Sequence, residues 1–110
     1  MTSYVSSQDT RIQTEQAVIR SFRNKTAEAV WNGAAGKGFP TDLLRVAQRK
    51  LAMLNAAVTL ETLRMPPANR LEALRGDRAG RHPIRINDQF RIVFIWRDGG
   101  ADEVEIVDYH

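Results

Sequence analysis

Between Phe90 and Trp96 the chain runs Phe-Arg-Ile-Val-Phe-Ile-Trp, apolar on both alternations of a strand except at Arg91. Successive strand side chains point to opposite faces, so such a run must be covered on each side, which places it inside a sheet rather than at its edge. Its neighbours in sequence supply the rest of that sheet. Asp98-Gly99-Gly100 is a hairpin turn, and Asp102 to Tyr109 returns beside the central strand with Val104 and Ile106 facing inward. Upstream, His82-Pro83-Ile84-Arg85-Ile86-Asn87 reads as a further strand, with Asp88 turning the chain into Phe90. Arg70-Leu71-Glu72-Ala73-Leu74 reads as another, and Gly76 and Gly80 bracket the turn that follows it.

The other half of the chain has helical spacing. Ala17–Phe22 reads as a short opening strand, with Val18, Arg20 and Phe22 on one face and Ile19 on the other. Asn24 is a candidate N-cap for a short helix through Trp31, broken by Gly33, Gly36 and Gly38. Pro40-Thr41-Asp42 then opens the longest element. Leu43, Leu44, Ala47, Leu51, Leu54 and Val58 form its apolar stripe, while Arg45, Gln48, Arg49 and Lys50 lie off it. Pro66-Pro67 closes the helical part, because neither residue donates a backbone hydrogen bond. The spacing predicts the order β-α-α-β-β-β-β. This is an α+β domain over residues 17–110, a small twisted, mostly antiparallel sheet with two N-terminal helices packed on it. Residues 1–16 are polar, lack periodicity and read as a flexible leader.

The absence of cysteine excludes a disulfide framework and thiolate metal sites, and the two histidines, His82 and His110, do not make a zinc site. No apolar run reaches the roughly 20 residues of a membrane span, and the first residues do not have the pattern of a signal peptide. A cytoplasmic location is expected. The net charge of +3 is unevenly spread. Residues 70–97 carry seven arginines and no lysine against Glu72, Asp77 and Asp88, whereas the last thirteen residues carry Asp98, Asp102, Glu103, Glu105 and Asp108. Arginine's planar fork suits bidentate phosphate contact. The block is either a solvated basic face or the footprint of a polyanion such as nucleic acid. Arg45 and Arg49, one helical turn apart, carry the same two readings.

Two groups of residues stand out chemically. Arg91 sits in the most apolar strand, on the face shared with Val93 and Ile95. A buried unpaired charge costs several kcal/mol, so that face must supply a carboxylate or open into an anion-binding cleft, which Arg85 on the preceding strand could share. The second group is Asp108-Tyr109-His110: a carboxylate, a phenol and an imidazole in succession, able to exchange a proton near neutral pH and to hydrogen-bond a phosphate.

Three stretches are similar to a known family. They are Leu71-Glu72-Ala73-Leu74-Arg75-Gly76-Asp77-Arg78-Ala79-Gly80, Ile84-Arg85-Ile86-Asn87-Asp88-Gln89-Phe90-Arg91-Ile92, and Val104-Glu105-Ile106-Val107-Asp108-Tyr109-His110. They closely resemble HigB-type toxins of the RelE superfamily of toxin–antitoxin systems, also called plasmid-maintenance killer proteins. Val18–Arg23 is similar to their first strand and Leu51–Ala57 to their second helix, so the resemblance runs from about Ala17 to His110. It implies a RelE-like fold and a ribosome-dependent endoribonuclease that cuts mRNA in the A site and stops translation. It also implies a cognate helix-turn-helix antitoxin, which alone would contact operator DNA. The implied chemistry uses no metal or cofactor: the RNA 2′-hydroxyl attacks the adjacent phosphate and leaves a cyclic phosphate.

Carried over residue by residue, Arg91 aligns with the family's strand arginine and would stabilise the phosphorane. Arg75 takes the basic position of a Leu-(Lys/Arg)-Gly-Asp motif. Asp108, Tyr109 and His110 match the catalytic terminus, with His110 as the proton-transfer group. Glu72 stands where some members have histidine, and either takes over proton transfer or pairs with an arginine. Arg78, Arg81, Arg85, Arg45 and Arg49 are the expected RNA contacts. His82 carries no family role. Two alternatives remain at this point: a non-catalytic RNA- or ribosome-binding module, and a co-repressor partner of a DNA-binding antitoxin.

Overall fold

The computed structural model describes residues 18–64, 69 and 80–108. The leader, the expected Arg70–Leu74 strand, Pro66-Pro67 and the Tyr109-His110 pair lie outside the described residues.

Asn24 starts the first helix among the described residues, α1 (Lys25–Trp31), with its backbone extended and its Oδ1 accepting from the Ala27 amide at 3.0 Å. This satisfies one of the donors that a helix start leaves open. A 3₁₀ turn at Thr41–Leu43 leads into α2 (Leu44–Asn55), and a second spans Leu60–Arg64. Three strands, β1 (Arg81–Arg85), β2 (Phe90–Arg97) and β3 (Gly100–Asp108), form an antiparallel sheet in the order β1-β2-β3. No helix among the described residues is long and apolar enough to cross a membrane.

The core is the layer between the sheet and the helices. Ile84, Phe90, Ile92, Phe94, Val104 and Ile106 line one sheet face, and Ala27, Val30, Ala47, Leu51 and Leu54 cover it from α1 and α2. Phe39 closes one end, edge-on to Phe90 at a ring separation of 5.0 Å. Each large apolar side chain buried here contributes about 1.5–3 kcal/mol. The expected central strand is confirmed: Val93, on the opposite face, is also fully buried.

Two turns set the register. Asp98 and Gly99 both have positive φ, 52° and 74°, and connect Arg97 to its partner Gly100. Two such residues in a two-residue loop make the right-twisted hairpin connection that an Asp-Gly pair favours. Between β1 and β2 the turning group is the Asn87 side chain rather than Asp88. Its Oδ1 accepts from the amides of Gln89 (3.0 Å) and Phe90 (2.7 Å).

Five expectations need correction. The opening strand shrinks to two parallel bridges, Ile19 with Ala101 and Phe22 with Val104. The cause is an extra residue in β3: the β2 register shifts between Val93 and Ile95, and Glu103 takes φ 53°. The bridges fall on either side of this bulge, and Ser21 Oγ accepts from the Glu103 amide (2.8 Å) in the gap. The expected alternation fails with it. Val18 is buried, Ile19 and Phe22 pack against the core, and the Arg20 guanidinium covers the hairpin turn, donating to the carbonyls of Arg97 and Asp98.

Val58, placed on the helical stripe, is 79% exposed. α2 stops at Asn55, whose Oδ1 accepts from the amides of Val18 and Ile19, both at 3.0 Å, so the periodicity ends before it reaches Val58. Lys50, placed off the stripe, is buried. Arg91, expected to be buried, is half-buried, and its Nη1 donates to the carbonyls of Asn87 and Phe90.

Candidate nucleic-acid interface

Alternation along β1 and β2 sends Ile84, Ile92 and Phe94 into the core and the residues between them to the other face. On that outer face the register pairs Arg85 directly with Arg91, and Arg91 with Val107 of β3. Like charges directly opposite each other destabilise a sheet unless neighbouring groups offset them. Both guanidinium groups sit at the Asn87–Gln89 bend. Arg85 Nη2 donates to Asp88 Oδ1 at 2.5 Å, a pair of limited strength because Asp88 is almost fully exposed. The Nε of Arg85 is buried with no hydrogen-bond partner.

Asp108 reaches the same end of the sheet from β3, where it pairs with Phe90 in register. Gln89 Nε2 donates to its Oδ2 at 2.9 Å. Gln89 was not among the residues singled out in the sequence. Only the bend made by the Asn87 side chain turns it toward β3, and that is a three-dimensional fact. The sheet sets Arg85 beside Arg91 on its outer face, and Asp108, in register with Phe90, falls on the other face at the same end.

The family model for the RelE-like toxin of the type II toxin–antitoxin system HigB matches residues 20–110. The chain belongs to the HigB-like toxin family. Toxin HigB-1 of Vibrio cholerae is 44% identical over 62 residues, 56% of this chain and 65% of the relative. An uncharacterized protein of Haemophilus influenzae is 40% identical over 65 residues, 59% of this chain and 64% of the relative. The matched stretch thus spans a little under two-thirds of each relative. The two helices on one face of a small antiparallel sheet agree with a RelE-like fold.

Other arginines of this HigB-like toxin stand elsewhere. Arg81 lies four residues before Arg85, about 13 Å along the strand. Its side chain is 13% exposed, and its guanidinium reaches Glu103 at 2.8 Å and Glu105 at 3.9 Å. Arg23 shares both carboxylates, while Arg20 and Arg97 converge on Asp102 at 3.5 and 2.8 Å. The hydrogen bond from Arg81 holds the Glu103 carboxyl below its ordinary pKa of 4.5, with the charges of Arg81, Arg23 and Arg97 adding to the effect. Arg81 is thereby occupied by carboxylates at the end of the sheet away from Arg91.

Arg45 and Arg49 are exposed on α2. His82, half-buried, lies beside Phe94 with ring centroids 5.8 Å apart. Glu72, Arg75, Arg78, Tyr109 and His110 lie outside the described residues. Sequence reasoning missed Lys50, whose Nζ donates to the fully buried Asn69 Oδ1 at 2.5 Å. Burial pushes its pKa below the usual lysine value, and the charges of Arg49 and Arg85 push it further the same way.

Proposed function

We propose that this HigB-like toxin is a ribosome-dependent endoribonuclease that cleaves mRNA in the A site and halts translation until a cognate antitoxin neutralises it. The observation that carries the reading is the cross-strand Arg85–Arg91 pair, two half-buried guanidinium forks side by side at one end of the sheet. A phosphodiester suits two adjacent guanidinium forks, which can grip its oxygens in pairs. Family membership supports the reaction class, and a protein that acts on ribosomes would work in the cytoplasm.

In this reading Arg91 binds the non-bridging oxygens of the scissile phosphate and stabilises the charge that grows on the phosphorane. Arg85 holds the neighbouring backbone, with Arg78, Arg45 and Arg49 as outer RNA contacts. Arg75 is a second cation at the reacting phosphate. His110 transfers the proton, Tyr109 and Asp108 orient it, and Glu72 is the next group to examine if His110 is dispensable. The 2′-hydroxyl attacks phosphorus, the P–O5′ bond breaks, and the products are a 2′,3′-cyclic phosphate and a 5′-hydroxyl. Arg81 contributes to stability through its carboxylates more than to RNA binding. The partner is a helix-turn-helix antitoxin that also carries operator recognition.

Single-turnover cleavage of a translated message on purified ribosomes tests the reading, with ribosome affinity measured in parallel. Arg91→Ala is expected to lower the rate about 10²–10³-fold, the usual effect of losing one charge-stabilising donor. His110→Ala is expected to lower it about 10²–10⁴-fold. Ribosome affinity changes little in either. No cleavage by the wild type, with tight ribosome binding, points instead to an inert binding module. Wild-type rates in Arg91→Ala rule out its role at the phosphate.

A further inference from the structure

Two arginines of β1 end on carboxylates, and the carboxylates differ in kind. Arg81 reaches Glu103 and Glu105 of β3, and the Glu105 side chain is only 9% exposed. Those charges are held by the sheet itself. Arg85 reaches Asp88 in the following bend, and here the carboxylate side chain is 92% exposed against 25% for the arginine. The cation is fixed in the protein and its anion faces solvent.

The bend that carries Asp88 is held by other groups. Asn87 Oδ1 accepts from the Gln89 and Phe90 amides at 3.0 and 2.7 Å, and Gln89 Nε2 is tied to Asp108 Oδ2 at 2.9 Å. Arg91 braces the same bend, its Nη1 donating to the carbonyls of Asn87 and Phe90. The Asp88 carboxylate therefore leaves Arg85 by turning about its own side-chain bonds while these contacts stay in place. Exposed ion pairs of this kind are weak, so the exchange costs little. In the free protein Asp88 offsets the charge of Arg85 where it stands opposite Arg91. A phosphodiester offers the same charge, with non-bridging oxygens that two planar forks can share.

We propose that Asp88 is a stand-in for the phosphate: its carboxylate occupies the Arg85 guanidinium in the free protein, and an RNA phosphodiester displaces it. The proposal rests on the reading of the Arg85–Arg91 pair as the phosphate site. Asp88 takes no part in the reaction. It determines specificity by competing for one fork, so that only an anion able to engage both arginines binds well.

The test is the affinity of the full chain for a 2′-O-methyl single-stranded RNA oligonucleotide, which cannot be cleaved, at low salt with thermal midpoints alongside. The variants are Asp88→Asn, Arg85→Gln, the two combined, Arg91→Ala, and Asp98→Asn. Asp98 is exposed in the hairpin at the other end of the sheet and controls for net charge. Asp88→Asn is expected to tighten binding about two- to fivefold, the range of an exposed ion pair, and Asp98→Asn to change it less. In the Arg85→Gln background the gain from Asp88→Asn is expected to vanish, since the fork it frees is gone. If Asp88→Asn tightens binding no more than Asp98→Asn, the proposal fails. It fails too if the gain is the same with and without the Arg85 guanidinium, because general repulsion then explains it. Should Arg85→Gln not fold, the comparison of Asp88→Asn with Asp98→Asn decides alone. If Arg85→Gln and Arg91→Ala weaken binding while Asp88→Asn behaves like the control, the phosphate reading stands without the stand-in. If Arg85→Gln and Arg91→Ala bind like the wild type, the phosphate reading itself fails.

Discussion

Glu103 occupies a left-handed backbone position, φ 53°, that residues with a side chain seldom adopt. The strain is offset by what the bulge delivers: one carboxylate aimed at Arg81, Arg23 and Arg97 together. Its folded pKa lies below the ordinary 4.5. The stabilisation is therefore fully present above the ordinary carboxylate range and is lost as pH falls through the lower folded value. Glu103→Gln is expected to lower the thermal midpoint at pH 7 and to flatten the acid limb of the midpoint-against-pH curve. The measurement is a midpoint series from pH 7 to pH 3 for both proteins. Wild-type and variant curves that run parallel over that range would remove Glu103 as an acid-sensitive contact.

At the scale of elements, Asn24 links the two layers. Besides capping α1, it donates from Nδ2 to the Ile106 carbonyl at 2.8 Å and accepts from the Ile106 amide at 3.3 Å. Its offset of 82 residues is that of the Ile19–Ala101 and Phe22–Val104 bridges, so the side chain continues by other means a ladder the backbone has left. Asn24→Ala is expected to cost about 2 kcal/mol, from a lost cap and an unpaired strand amide, read as a lower midpoint in denaturant with an unchanged slope. The cap itself was legible, because Asn before a helical run is a local signal. So were the stripe of Ala47, Leu51 and Leu54, the central strand and the Asp98-Gly99 turn, all fixed by neighbours in sequence. What escaped depends on distant partners. Lys50 reads as solvated until Asn69, nineteen residues on, is brought beneath it. Val58 reads as core until Asn55 ends the helix. Arg85 could be set against Arg91 only once the Asn87 turn fixed the register, and the opening strand was overestimated because nothing in its own sequence announces the bulge in β3.

Across the whole molecule, the acidic stretch near the end of the sequence folds back against arginines. Asp102, Glu103 and Glu105 take up Arg20, Arg23, Arg81 and Arg97 at one end of the sheet. The sign reversal noticed along the chain thus becomes an internal neutralisation, and Arg85 and Arg91 stand at the opposite end. If that end meets phosphates, log affinity for ribosomes is expected to fall against log salt with a slope of about −0.7 for each single-strand phosphate contact. Affinity measured from low to physiological salt checks this, and a flat response would assign the arginines to another partner. The same closure governs how the protein is born. The Arg23 amide donates to the Val104 carbonyl and the Val18 carbonyl accepts from the Ala101 amide, so the segment ahead of α1 has no strand to join until β3 has left the exit tunnel. Both helices wait uncovered until the strands follow them, because all three strands of the face that covers them come later in the sequence. Such long-range closure makes for slow folding. A nascent chain of this protein thus carries its apolar helix faces in water until the strands that bury them are made.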